Sequence, residues 1–124
     1  MTKPLALVYY ERLLPGSQLV NRLQDLGYRV QTIPEGALLI QTARNEGPLV
    51  VLVDLVTQKV NICGIIKEMK NDPDTGHIPI IGFAGQGNKQ LHTEAVRAGA
   101  SLVAFDNAVL PQLPQLLEQA LVVE

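Results

Sequence analysis

The first residue whose type and placement suggest chemistry is Asp54. It interrupts the stretch PLVVLVDLV, Pro48 to Val56, in which Leu49 to Val53 are apolar and Leu55 and Val56 come after it. A run rich in β-branched residues and bounded by Gly47-Pro48 predicts a strand buried on both faces. An ionised carboxylate at the end of such a strand loses hydration unless it is paired or opens onto solvent. In an open parallel α/β sheet, the carboxyl ends of the strands open onto the ligand crevice. Asp54 therefore reads either as an active-site or phosphate-accepting aspartate, or as an aspartate that ends a strand and caps the next segment of chain.

Composition bounds the choice. A chain of 124 residues is expected to form one domain with a real core, spanning residues 1–124 with no output domain beside it. Its 47% hydrophobic and 18% charged residues fit a folded globular protein rather than a disordered one. A net charge of −2 without a basic tract disfavours strong, nonspecific nucleic-acid binding. The apolar run in MTKPLALVYYERLL is too short for a signal peptide or a membrane span, so the cytoplasm is the expected location. The single cysteine, Cys63, excludes an intramolecular disulfide and a Cys-based zinc site. With no Trp and 4% aromatic residues, a base-stacking platform or a carbohydrate-binding aromatic face is not expected.

The elements that would position Asp54 alternate regularly. Leu5 to Tyr10 predicts a strand, and Gly16-Ser17 opens a helix with Leu19, Val20, Leu23 and Leu26 on one face, ended by Gly27. Tyr28 to Ile33 predicts a second strand, at an edge because Pro34 stops it, and Glu35 to Glu46 a second helix. After the Asp54 strand, a third helix starts around Lys59 to Asn61, with Ile62, Ile65, Ile66 and Met69 inward. Ile78 to Phe83 predicts a fourth strand, Gly85 to Asn88 a flexible loop, and Lys89 to Ala98 a helix with Leu91, Ala95, Val96 and Ala98 inward. Ala100 to Phe105 predicts a fifth strand and Leu113 to Val122 a last helix. Five βα units with apolar strands imply a doubly wound parallel sheet with helices on both faces, in the flavodoxin-like order 2-1-3-4-5. That fold hosts many functions and supplies none by itself.

The whole chain resembles the receiver domain of two-component response regulators. Asp54 ends the third strand, where the family keeps its phospho-acceptor, and GPLVVLVDL, Gly47 to Leu55, resembles the family's strand leading to it. Ile78-Pro79-Ile80-Ile81 resembles its fourth strand, and Ala98-Gly99-Ala100 its turn into the fifth. The chemistry that the resemblance implies is missing almost everywhere. Where receivers hold a divalent cation with two acidic residues, this chain has Tyr9 and Tyr10, and Glu11 stands one place too late. The hydroxyl at the end of the fourth strand is replaced by Ala84. The lysine and proline at the end of the fifth strand are replaced by Asp106 and Asn107, and the aromatic switch position holds Val103.

Each departure has a physical consequence. Phosphoryl transfer to a carboxylate is mainly positioning and charge neutralisation, to which Mg²⁺ contributes most. Mg²⁺ prefers hard oxygen ligands, and two protonated phenols are poor replacements for two carboxylates. Ala84 donates no hydrogen bond, and Asp106 puts an anion where a cation would meet the phosphoryl oxygens. Tyr9 and Tyr10 are expected to fill the volume of the metal site, their hydroxyls bonded to backbone or to Asp54. Asp54 and Asp106 lie on strands separated by the fourth, so they read as hydrogen-bonded or solvated carboxylates rather than as a cation site with Glu11.

Other candidates are weaker. His77 and His92 have no ligand cluster at zinc spacing, and Cys63 reads as a small buried residue. Gly85 to Asn88 lacks both phosphate-loop fingerprints, and Ser17 and Ser101 lack any nucleophile motif. The resemblance implies a non-enzymatic, stand-alone degenerate receiver acting as a phosphorylation-independent interaction module, without cofactor. The implied partners are a histidine kinase, an output protein or a second copy of the chain. The implied interface is the surface of the fourth helix, fifth strand and fifth helix, at Gln90, His92, Thr93, Arg97, Val103 and Gln112. The alternatives are an atypical acceptor phosphorylated on Asp54, with Mg²⁺ held by Glu11 and Asp106, and a small-ligand binder using the crevice.

Overall fold

Apolar strands too hydrophobic to leave either face in water demand helices on both sides, and that is the observed arrangement. The computed structural model describes residues 3–121. Strands β1 (Leu5–Tyr9), β2 (Arg29–Thr32), β3 (Val50–Asp54), β4 (Ile80–Ala84) and β5 (Leu102–Phe105) form one parallel sheet in the order β2-β1-β3-β4-β5. Every residue of β1, β3 and β4 is buried, whereas the edge strands β2 and β5 are mostly not.

The helices are α1 (Leu13–Asp25), α2 (Leu39–Glu46), α3 (Ile62–Asn71), α4 (Lys89–Ala98), a short α5 (Asp106–Val109) and α6 (Leu113–Ala120). The two-residue period of the strands divides the core. Leu5, Leu7, Tyr9, Val51 and Val53 face α2, α3 and α4 through Leu39, Ile66, Met69 and Ala95. Ala6, Val8, Val50 and Leu52 face α1, α5 and α6 through Leu19, Leu23, Val109 and Leu117. Gly47 and Gly99 close α2 and α4 at φ 58° and 121°, a region costly for a side chain.

Several boundaries differ from the sequence expectation. Helix α1 starts at Leu13 rather than at Gly16-Ser17. Pro15 lies in its first turn, where the missing N–H would have had no intrahelical partner. The second helix opens with a 3₁₀ turn, Gly36–Leu38, and the loop expected after β4 contains another, Gln86–Asn88. Val96, expected inward, is 57% exposed because α4 meets the sheet mainly along the Ala95 stripe. The fifth strand, expected from Ala100, begins at Leu102; it ends at Phe105 as expected, and Asp106 begins α5. Val122, expected in the last helix, lies outside the described residues.

Gly16 is buried beneath Tyr10, and a Cβ at Gly16 would run into the Tyr10 ring. The helical gain of alanine, about 1 kcal/mol, is smaller than a typical overpacking cost of about 1–3 kcal/mol. Gly16→Ala is expected to lower the urea-unfolding free energy by about 1–2 kcal/mol. Adding Tyr10→Ala should remove most of the alanine's extra cost; equal costs in both backgrounds would show that Tyr10 is not what it meets.

Candidate functional site

At the carboxyl end of β1 four consecutive residues go to four different places. Tyr9, the last strand residue, is 2% exposed on the α2–α3 side. Tyr10 turns to the opposite face and packs in the α1 cluster. Glu11 and Arg12 lie in the turn before α1, with Arg12 at the N-cap position. Contrary to the expectation that both fill the volume of one metal site, the two tyrosines do not share a crevice; strand alternation separates them.

The site is built around Arg12, which the sequence reading did not single out. Asp54 shares strand parity with Val50 and Leu52, so its side chain belongs to the face over which α1 arrives. The Asp54 carboxylate is fully buried, and Arg12 is 31% exposed. The Arg12 guanidinium donates to Asp54 from Nη2 to Oδ1 at 2.7 Å and from Nε to Oδ1 and Oδ2 at 3.1 and 3.2 Å. The same group donates to Asp106 from Nη1 to Oδ2 at 2.7 Å and from Nη2 to Oδ1 at 3.1 Å. One planar cation therefore bridges β3 and the start of α5, with Nη2 touching both carboxylates. The backbone completes the shell of Asp54: the Glu11 and Arg12 amides donate to Oδ2 at 3.3 and 3.1 Å, and the Val56 amide to Oδ1 at 3.0 Å. Asp54 and Asp106 are hydrogen-bonded carboxylates, as their types and placement suggest, and a long side chain spans the gap that two short ones cannot.

Glu11, one place beyond the position where the resembling family holds its cation, serves a loop instead. Its carboxylate accepts from the Tyr9 hydroxyl at 2.7 Å, from the Gln58 amide at 2.7 Å and from the Lys59 amide at 3.2 and 3.3 Å. It ties the β3–α3 loop to the end of β1 and is turned away from Asp54. Burial pushes the Glu11 carboxyl up, but the Gln58 amide, the Tyr9 hydroxyl and Lys59 outweigh it and hold the group below the ordinary glutamate value. Burial, then the hydrogen bond to Glu11 and the charges of Glu11 and Asp54, push the Tyr9 phenol well up, so it remains a donor. The hydrogen bond to Asp106, opposed by burial and reinforced by Asp54, raises the Arg12 guanidinium further above its usual range.

A divalent ion does not fit this donor set. Both oxygens of Asp54 are engaged by N–H donors, Glu11 serves a loop, and a guanidinium stands between the two aspartates. Among the described residues, no group of three or more His, Cys, Asp or Glu side chains could hold a metal ion. Ala84 is buried at the end of β4 and offers a carbonyl, 3.3 Å from His92 Nε2, but no side-chain donor.

Of the expected interface residues, Gln90, Thr93, Arg97 and Gln112 are exposed. His92 and Val103 are half-buried. His92 is held by the Ala84 carbonyl and a tilted ring contact with Phe105, centroids 4.6 Å apart, and so is less accessible than expected. A shallow groove between α4 and β5 is lined by His92, Thr93, Val96, Arg97, Leu102 and Val103. His77 is exposed in the turn before β4, and Cys63 is half-buried on α3. Among the described residues, no helix is long and apolar enough to cross a membrane.

No family model matches the sequence. A protein described as a probable transcriptional regulator, ycf27, from Galdieria sulphuraria is 32% identical over 100 residues, which cover 81% of this chain and 36% of that protein. Its namesake from Guillardia theta is 28% identical over 117 residues, covering 94% and 43%. The chain thus spans less than half the length of these curated relatives. The receiver domain of the sensor histidine kinase PA1611 from Pseudomonas aeruginosa, solved with magnesium in its active site cleft, superposes with a TM-score of 0.86. It is 16% identical, with 97% of this chain and 98% of that one covered. The chemotaxis protein CheY4 of Vibrio cholerae gives 0.83 at 17% identity, covering 96% and 99%. The receiver domain of NtrX from Brucella abortus gives 0.81 at 19% identity, covering 94% and 97%. The chain has the fold of response-regulator receiver domains.

Two measurements check the site. Arg12→Ala leaves the buried Asp54 without its cation and should cost about 2–4 kcal/mol in urea unfolding at pH 7, tempered by the partial exposure of Arg12. In an Asp54→Asn background the same change should cost less than half as much; equal costs would mean that the pair is uncoupled. The second concerns acid. Because the Glu11 value is lowered on folding, its contribution is complete above the unfolded value and is lost as the pH falls through the folded one. Glu11→Gln should therefore lose less stability than the parent between about pH 5 and pH 3, read from urea midpoints at each pH.

Proposed function

We propose that this chain is a degenerate receiver domain of two-component-type signalling, working as a docking module without an aspartyl-phosphate switch. The observation that supports this most is the Arg12 fork on Asp54 and Asp106. An acceptor carboxylate needs a free oxygen aimed at the incoming phosphorus, with cationic and hydrogen-bonding groups around the phosphoryl oxygens. Here the carboxylate oxygens are already occupied, the neighbouring side chain of β4 is a methyl group, and Asp106 presents an anion. Moving Arg12 aside would expose two neighbouring carboxylates at once, which raises the cost of the movement. The reading requires no cofactor.

The rival reading, an atypical acceptor with a metal on Glu11 and Asp106, is disfavoured by the same geometry. Glu11 is committed to the Gln58 and Lys59 amides, and Asp106 to Arg12. A small-ligand site in the crevice is disfavoured because Arg12 occupies the space between the aspartates. Docking is assigned to the α4–β5 surface, where Gln90, Thr93 and Arg97 are exposed beside Val96, with Val103 at its floor and Gln112 on the approach to α6. The partner is a signalling protein, a histidine kinase or output protein, or a second copy of the chain.

Incubation with acetyl phosphate and Mg²⁺ should give no phosphoryl adduct by intact mass, so that the chain and its Asp54→Ala variant are indistinguishable. An adduct lost in the variant would overturn the reading. In a parallel arm, sedimentation of the chain alone and with signalling proteins encoded beside it should respond to Val96→Glu and Arg97→Glu but not to Asp54→Ala. Association unchanged by the surface variants would remove α4–β5 as the interface.

A further inference from the structure

A cleft of this fold that carries two aspartates needs positive charge. In this chain that charge is covalently attached. We propose that Arg12 is the resident cation of the cleft, standing in for a divalent ion and excluding one, so that the arrangement of the β1–α1 turn, β3 and the start of α5 is independent of divalent metal.

Charge and reach together support this assignment. Asp54 has no solvent exposure, and an unpaired carboxylate there would be costly. Asp106 is 28% exposed and lies within reach of the same guanidinium nitrogen. Two carboxylates facing one point repel unless a cation sits between them. A guanidinium meets this need with a flat fork of donors matched to carboxylate geometry. It cannot be chelated away, and it retains its proton across the ordinary pH range. A Mg²⁺ ion would need octahedral oxygen donors at about 2.1 Å in the space that Arg12 Nη2 and Nε now fill. Ion and guanidinium are therefore alternatives, and the tethered one has no association entropy to overcome at each encounter.

The inference rests on the same pocket as the docking reading but is tested apart from phosphorylation. Thermal unfolding is followed in EDTA and in MgCl₂, with Mn²⁺ electron paramagnetic resonance counting bound ions. For the native chain, the melting temperature should be the same in both buffers, with no Mn²⁺ bound. Arg12→Ala uncovers Asp54 and Asp106, and its melting temperature should rise with Mg²⁺, on the order of 10 °C at saturation. That rise should vanish when Asp54→Asn is added. An Arg12→Ala chain that folds only with the ion present supports the proposal equally. The proposal is overturned if the native chain binds Mn²⁺ through Asp54, or if Arg12→Ala folds without any response to metal. It is also overturned if Arg12→Ala folds in neither buffer while Arg12→Ala/Asp54→Asn folds in both. A native chain that gains no phosphoryl adduct alongside an unresponsive Arg12→Ala would sink this inference and leave the docking reading standing.

Discussion

One guanidinium between two carboxylates is the interaction on which the rest of the cleft depends. Asp54 is surrounded by apolar strands, and burial of its charge is tolerable only because five N–H groups, from Glu11, Arg12 and Val56, converge on it. Three of those groups are backbone amides whose positions are fixed by the β1–α1 turn and by the exit from β3. The turn is itself fixed by Arg12, because its side chain and its own amide hold the same carboxylate. Asp106 completes the set by drawing the start of α5 to the middle of the sheet across β4.

The end of β1 shows how little sequence is needed to divide several tasks. Alternation sends Tyr9 and Tyr10 to opposite sides of the sheet, one into each half of the core. Once the strand ends, the next two residues escape that alternation. Glu11 secures the β3–α3 loop through two amides and Tyr9, while Arg12 secures the acidic residues. Acid and base are adjacent in sequence, yet each is satisfied by a different loop, so neither neutralises the other at the expense of its partners.

The layers, the strand order and most helix ends were legible because they are local or periodic. Apolar runs marked β1, β3 and β4, and Gly47 and Gly99 marked helix ends. The start of α1 was less legible because Pro15 and Gly16 look like breakers, whereas one lies where no N–H is needed and the other where only a bare Cα fits beneath Tyr10. Arg12 was missed because its partners lie 42 and 94 residues away, and no local pattern joins them. A signal was nevertheless present. An acid at Asp106, where the resembling family has a base, leaves two negative residues at one end of the sheet and demands a cation nearby. Arg12, just past the carboxyl end of the strand beside β3, is well placed to supply it. The half-burial of His92 was invisible for a similar reason, since it depends on Phe105 and on the Ala84 carbonyl.

The span of the Arg12–Asp106 pair bears on the order in which the molecule assembles. Contacts between residues 94 apart close a loop of most of the chain, and such contacts are entropically expensive until intervening strands have paired. β3 and β4 must already stand beside β1 before β5 can bring Asp106 within reach. On loop-closure grounds the pair is expected to form late in folding and to contribute little at the barrier. Interactions absent from the barrier slow escape from the native state rather than hasten arrival at it. A contact that closes late in this way would act as a latch, lengthening the lifetime of the folded state more than it shortens the time needed to reach it.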